Sequence, residues 1–486
     1  MASYDELMSL SVRRGFVWPS ADLYGGFSGF YDYGHNGARL KRKWEDAWLA
    51  SFLGLDENYH LVDATTLLPE AALQASGHVE LFTDVLVDCT RCKETHRADQ
   101  LLEEKFQVPF EGLTPEEIGA KLAEAGLRCP RCGGALGVPK AFNMMFPVRL
   151  GTSGKDLAYL RPETAQGVYL NFKREFESLR RRLPLGLAIV GRAYRNEISP
   201  RQGTYRMREF QQAELQIFFD PETWDATFSP DPAAVVHVAF AGHRGERAFE
   251  RVAAPDLVAR GLPRFYVHHL VAVQRFYLEA LRVPVERFRF AELSEKERAF
   301  YNRVHFDVEV DQESLGGFKE VGGVHYRADH DLSAHMRVSK ENLAVNLQGR
   351  KFVPHVLELS FGVDRNVWAL LDLGYSKKEE RTILRLPPRL APVTVGVFPL
   401  VKKDGLPELA REVFEALRRR FDCAYDEGDS IGRRYARLDE IGTPLCLTVD
   451  HPSKEDRTVT LRHRDTGQQT REPIADLPAA IERALG

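Results

Sequence analysis

Between Gly191 and Phe210 the chain reads GRAYRNEISPRQGTYRMREF. Five arginines (Arg192, Arg195, Arg201, Arg206 and Arg208) share this stretch with two glutamates, Glu197 and Glu209. The run LGLAIVG leads in and QQAELQIFF leads out, both with strand-like character, so the stretch reads as a hairpin with a cationic tip. Guanidinium groups are rigid forks of donors that suit phosphate oxygens. Residues two apart on a strand share a face, which groups Arg195 with Glu197, and Arg206 with Arg208 and Phe210. Phosphate donors beside a ring suit a nucleotide: charge for the phosphates, stacking for the base. The sequence has no GxxxxGK loop and no GxGxxG after a strand, so side chains would have to hold the phosphates. Taken alone, the segment fits equally well a solvated hairpin with weak cross-strand ion pairs. Two further stretches favour the site: RPETAQG at 161–167, and FGVDR at 361–365, which delivers Arg365 from a helix start.

A second constellation is made of thiols. Cys89 and Cys92 form one CxxC, Cys129 and Cys132 another, with 36 residues between them. Each pair places two thiolates on one tight knuckle, and Gly133-Gly134 suits the turn after the second. In a cytosolic chain the pattern points to a tetrahedral, structural zinc rather than to disulfides. Four thiolates leave no open position for catalysis. The alternative is four reduced thiols without metal. Cys423 and Cys446 read as buried thiols.

These residues must be positioned by something large. The 486-residue chain has room for two to four domains. Its net charge of −4 gives no global attraction to nucleic acid, so any polyanion site is local. The start, MASYDELMSL, lacks a basic and an apolar segment, no apolar run approaches a membrane span, and a cytoplasmic protein is expected. Helices are expected at DELMSLSVRRGF, at ARLKRKWEDAWLASFLG up to Gly54, and at TPEEIGAKLAEAG, where Thr114 and Glu117 form a capping box. The glycine- and aromatic-rich LYGGFSGFYDYGHNG reads as a loop whose rings pack inward. Strands and helices do not alternate one for one through residues 140–388, so the fold class is α+β, an antiparallel sheet with flanking helices. The expected boundaries are a core of 1–85 and 139–388, a zinc-ribbon-like insertion at 86–138, and a mainly helical insertion at 221–290. After the prolines of LRLPPRLAPVTV comes an α/β domain of 389–486, whose first helix carries Leu409, Val413, Leu417 and Phe421 on one face.

With these stretches in place the chain resembles a class II aminoacyl-tRNA synthetase, and within that class a glycyl-tRNA synthetase of the homodimeric type. The resemblance rests on YGGFSGFYDYG (24–34), LLPEAALQASGHVELFTD (67–84), HRADQLLEEKF (96–106), FNMMFPV (142–148), LRPETAQGVYLNFK (160–173), GRAYRNEISPR (191–201), MREFQQAEL (207–215), EVGGVHYRADHDL (320–332) and VLELSFGVDR (356–365). It implies catalytic roles for Arg195, Glu197, Arg206 and Arg365. Arg195, braced by Glu197, would hold the ATP α-phosphate, and Arg206 the γ-phosphate end. Phe210 and Arg365 would enclose the adenine, and Glu320 would hold Mg2+ with the phosphates. Asn196, Tyr205, Met207, Arg208, Glu209, Val321, Gly362, Val363 and Asp364 would complete the ATP site. Glu163, Glu214, Glu358 and Ser360 would surround the glycine ammonium, with Gln211, Gln212, Ala213, Leu359 and Phe361 as neighbours. Arg97 and Arg327 would lie near the substrate carboxylate or adenylate.

Three converging carboxylates repel unless a cation sits among them, and an α-ammonium is such a cation. Every competitor of glycine is larger, so packed walls can reject it without an editing domain. Leu359 and Phe361 stand where family members have proline and alanine, and both flank the proposed glycine contacts. The expected activity is glycine–tRNA ligation, with ATP, glycine and tRNA-Gly as partners, a C-terminal anticodon-binding domain and a homodimer. The rival readings are a non-catalytic binding module on the same fold and a class II ligase for another small amino acid.

Overall fold

The structure, a computed structural model, describes residues 3–106, 110, 113–198, 200, 202–242, 248–295, 297–298, 302–378 and 381–486. Arg201 of the hairpin tip lies outside them. A nine-stranded sheet forms the centre. In chain order its strands are β1 (Tyr59–Leu61), β2 (Leu185–Tyr194), β3 (Glu209–Phe219), β4 (Val235–Ala239), β5 (Glu250–Ala253), β6 (Phe288–Glu292), β7 (Val304–Gln312), β8 (Gly317–Ala328) and β9 (His355–Gly362). In space they run β5-β4-β6-β7-β8-β9-β3-β2-β1. The pairs β4/β6 and β2/β1 are parallel, and the others antiparallel.

Alternation in β3 and β9 explains what this sheet does. Gln212, Glu214 and Gln216 alternate with Ala213, Leu215 and Ile217, and Glu358 and Ser360 alternate with Leu357, Leu359 and Phe361. The register sets Glu214 opposite Ser360 and Gln216 opposite Glu358. One face is therefore apolar and joins the main core, covered by α1 (His35–Leu53), α3 (Arg264–Arg275) and α5 (Val363–Gly374). The Phe361 ring meets Phe52 at 5.0 Å and Trp48 at 5.9 Å. The other face carries the polar set. A one-residue slip of β9 would exchange the faces, and burying each large side chain is worth about 1.5–3 kcal/mol, so the register is strongly held. Helix α2 (Ala165–Ser178) packs Val168, Tyr169 and Phe172 with Leu185, Leu187, Phe218 and Leu332 of α4 (His330–Ser339) in a second core at one end of the sheet.

Three expectations need correction. Residues 221–290 do contain α3, but they also supply β4, β5 and part of β6, so they extend the sheet rather than form a helical insertion. These strands have only four or five residues, too few for alternation to show beside the strong helical period of α3. The hairpin strands end at Tyr194 and resume at Glu209, so Arg195, Glu197, Arg206 and Arg208 belong to the connecting loop and the two-residue face rule does not place them. The rings of 24–33 do not all pack inward: Tyr24 is 93 % and Phe27 78 % exposed, with Leu23 96 % exposed beside them.

Residues 83–143 hold a small sheet of Thr95–Arg97, Thr83–Asp88 and Lys140–Asn143, with helices Ala98–Phe106 and Pro115–Glu124, the second opened by the Thr114/Glu117 capping box. The C-terminal region is a five-stranded sheet in the order β11-β10-β12-β13-β14, built from β10 (Val395–Pro399), β11 (Cys423–Tyr425), β12 (Leu445–Val449), β13 (Thr458–His463) and β14 (Gln469–Pro473). Its first three strands are parallel, and Leu409, Val413 and Leu417 of the Leu406–Leu417 helix fill its core. Among the described residues no helix is long and apolar enough to cross a membrane.

Candidate active site

The polar face of β3, β8 and β9 floors a cavity of about 150 Å³, and the loop between β2 and β3 walls it. Arg195, Glu197, Tyr205, Arg206, Met207, Phe210, Gln211, Gln212, Glu320, Ser360, Gly362, Asp364 and Arg365 all line it. The Arg195 guanidinium lies 5.2 Å from the Phe210 ring centroid and 5.3 Å from that of Phe82, and its Nε donates to the Pro162 carbonyl. Arg365 leaves the first turn of α5 and pairs with Glu320 at 2.9 Å. It also lies over the Tyr205 ring at 4.7 Å, while the Tyr205 hydroxyl donates to the Glu320 carbonyl. Asp364 accepts from Tyr33, from Lys41 and from the Gln211 backbone, so it ties α5 to the floor.

Beside this cationic pocket lies an acidic one. Glu214 accepts from the Thr164 hydroxyl at 2.6 Å, the Ser360 hydroxyl at 2.8 Å and the Gln212 amide at 2.9 Å. All three donors are neutral. Burial first, then the charges of Glu358 and Glu163, push the Glu214 carboxyl up to about 8. Burial also pushes Glu358 up, against the pull of Arg327, which bonds it at 2.9 Å. Burial opposes ionisation of Glu163 too, but His78 at 3.6 Å and Arg327 outweigh it and hold this carboxyl well below the usual range. Arg327 is itself gripped by both oxygens of Asp331, at 2.7 and 2.8 Å. The three glutamates thus feel one another, and Glu214 sits among neutral partners where an ammonium group would be held.

Other expected contacts fall elsewhere. Ala213, Val321, Leu359, Phe361 and Val363 are buried in the main core, on the far side of the sheet or in α5. None of the five lines the cavity, so the two departures at 359 and 361 alter core packing rather than the wall of the pocket. Arg208 folds back onto the Glu197 and Ser28 carbonyls, and Glu209 pairs with Arg192. Asn196 donates its backbone N–H to the Met144 carbonyl. Arg97 is ion-paired with Asp84 at 3.3 Å and Asp99 at 2.5 Å. Gly323 and His325 also line the cavity, and Thr164 and Gln216 bond Glu214 and Glu358, four residues not among the expected contacts. The 212/214/216 alternation could have flagged Gln216, and Thr164 lay inside RPETAQG, but nothing local marked His325. The four thiols of Cys89, Cys92, Cys129 and Cys132 come together with all Sγ atoms within 4.8 Å of one another. Soft ligands in that number and spacing fit a closed tetrahedral zinc site.

Known proteins resemble the chain in both halves. The tRNA synthetase class II core domain (G, H, P, S and T) matches residues 149–233, and the anticodon binding domain matches 394–484. Glycine–tRNA ligase of Thermococcus gammatolerans is 37 % identical, with 99 % of this chain and 98 % of that protein aligned. The ligases of Pyrococcus furiosus (36 %, 99 % of each chain) and Aeropyrum pernix (38 %, 96 % of this chain and 94 % of that one) are similar to the same extent. Prolyl-tRNA synthetase of Cryptosporidium parvum with proline and AMP shares the fold at TM-score 0.60 and 14 % identity, over all of this chain and 76 % of that one. On full-length likeness and on this geometry, the chain belongs to the class II glycine–tRNA ligase family.

Proposed function

We infer that the chain joins glycine to tRNA-Gly in two steps. A glycine carboxylate oxygen attacks the α-phosphorus of ATP, the α–β phosphoanhydride bond breaks, and pyrophosphate leaves. A ribose hydroxyl of the tRNA 3′-terminal adenosine then attacks the glycyl carbonyl, and AMP leaves. The observation that carries this reading is the direct adjacency of an arginine-lined cavity to buried Glu214, with Ser360 lining the one and bonding the other. A phosphate-bearing group and an ammonium group would then lie side by side, as an aminoacyl-adenylate requires.

Arg195 is held between the Phe210 and Phe82 rings, which orients it for phosphate oxygens. Phe210 offers its ring to adenine and Arg365 the opposite cover. Catalysis is then mainly positioning and stabilisation of developing phosphate charge. Glu320 lines the cavity beside Arg365, and its carboxylate would hold Mg2+ together with the phosphate oxygens. When bound, the ion would neutralise phosphate charge. Zinc at the four cysteines would have a structural role. An exposed cluster of Leu23, Tyr24 and Phe27 supports a homodimer, because apolar patches of this kind mark association surfaces. A protein with these substrates works in the cytoplasm. Glycine-dependent exchange of pyrophosphate into ATP tests the first step. No exchange with any amino acid would leave the binding-module reading, and exchange with another amino acid would make the chain a sister ligase.

A further inference from the structure

The thiol cluster and the ATP-binding loop lie on opposite faces of one short strand. In Thr95–Arg97 successive side chains point to opposite faces. The buried His96 reaches Cys129 Sγ with its Nε2 at 3.3 Å. Next to it, Arg97 pairs with Asp84 on the adjoining strand, and both feel the charge of Glu197 in the loop between β2 and β3. Oxygens of Asp84 and Glu197 are buried there without hydrogen-bond partners.

The same small sheet braces that loop in two further places. Phe82, just before Thr83–Asp88, stacks on Arg195 at 5.3 Å. Met144, just after Lys140–Asn143, accepts the Asn196 N–H at 2.7 Å. Three consecutive residues of the loop, Arg195, Asn196 and Glu197, therefore take their positions from the cysteine-bearing module. The thiols are carried on the backbone of that sheet: Cys89 follows directly on Thr83–Asp88, and its main chain forms a bridge with Leu136.

We propose that His96 and Arg97 form a positioning link by which zinc at the four cysteines sets the geometry of the ATP-binding loop. The inference rests on the ligase reading above. His96 donates Nε2–H to the Cys129 thiolate, as a second layer of support for a metal ligand does. That bond holds the strand, the strand aims Arg97, and Arg97 with Asp84 packs behind Glu197. His96 and Arg97 are positioning residues here; neither needs to touch the reacting atoms. Loosening the strand would displace Arg195 and Glu197, and small displacements of such groups cost about a hundred-fold in rate.

The test compares the zinc-loaded full chain, the metal-stripped full chain, and zinc-loaded His96→Ala and His96→Gln. Metal retention is read by competition with a chromophoric chelator, ATP affinity by equilibrium binding, and glycine by its KM in pyrophosphate exchange. His96→Ala is expected to lose zinc affinity by about ten-fold or more. Stripped protein and His96→Ala are expected to weaken ATP binding about ten-fold, with the glycine KM shifted less than about two-fold, since Glu163, Glu214 and Glu358 lie outside the link. Glutamine, which keeps an N–H donor, is expected to restore much of both. Stripped protein that stays folded and binds ATP like the loaded form overturns the proposal. Should stripping unfold the chain, the His96 variants decide: zinc retention and ATP binding like the parent's overturn it equally. Zinc-loaded parent protein that shows no glycine-dependent exchange overturns the ligase reading instead.

Discussion

Glu214→Gln separates the cost of the acidic pocket from its use. Burial first, and then the charges of Glu358 and Glu163, push the Glu214 carboxyl from near 4.5 up to about 8. A carboxyl raised on folding binds its proton more tightly in the native state. Stability is therefore full below the unfolded value and is lost as pH rises through the folded value. The shift of about 3.5 pH units corresponds to about 5 kcal/mol in all, at about 1.36 kcal/mol per unit. Glutamine has no proton to lose. Its amide can still bond Gln212, Ser360 and Thr164, because the hydroxyls can turn to accept. The variant should match the parent near pH 5 and gain on it as pH rises, by about 2–3 kcal/mol between pH 6 and pH 8. Urea unfolding at several pH values measures this. The same change removes the charged acceptor for the glycine ammonium, worth about 1.5–3 kcal/mol, so the glycine KM should rise roughly ten- to hundred-fold. For the parent, the glycine KM should fall as pH rises from 6 to 8, because ammonium binding needs the ionised carboxylate. A stability difference that is the same at pH 6 and pH 8, or a variant that keeps the parent's glycine KM, would refute the assignment.

Phe210→Ala should weaken ATP by about 1–3 kcal/mol, the worth of one stacked base, and leave glycine nearly unaffected; ATP and glycine KM values in exchange separate the two. Phe361→Ala should cost about 3–5 kcal/mol of stability, because the ring fills the core, while the glycine KM of the folded variant stays close to the parent's. Gly191→Ala would put a Cβ 2.2 Å from the Nη2 of buried Arg161, whose side chain already bonds the Arg192 and Ala64 carbonyls. Urea unfolding should show a loss of about 1–3 kcal/mol or more. Replacing Leu23, Tyr24 and Phe27 together by serine should leave the fold intact and lower the sedimentation coefficient if the patch joins two copies, with no change if it does not.

Local pattern was enough wherever chemistry and period coincided. The alternation of QQAELQ and LELS put their polar residues on one face whatever lay beside them, because a strand has a period of two. The CxxC pairs, the capping box at Thr114 and the break from strand to helix at Gly362 were equally local, and each is legible in a handful of residues. Arg195, Arg206, Phe210 and Arg365 could be named from residue type and resemblance, but not placed. Arg195 and Arg206 stand on a loop outside the ladder, braced by Phe82, Pro162 and Met144, while Phe210 comes from the start of β3 and Arg365 from the first turn of α5. The unusual proton affinity of Glu214 comes first from its burial and then from the charges of Glu358 on β9 and of Glu163 ahead of α2, all set by segments distant in sequence. Which residues carry charge, which alternate and which can bind metal are properties of neighbours along the chain, so they are legible locally. That Leu359 and Phe361 face the core, that short strands of 221–290 extend the sheet, and that Tyr24 and Phe27 stay exposed is set by the folded arrangement, because burial depends on what arrives from elsewhere in the chain.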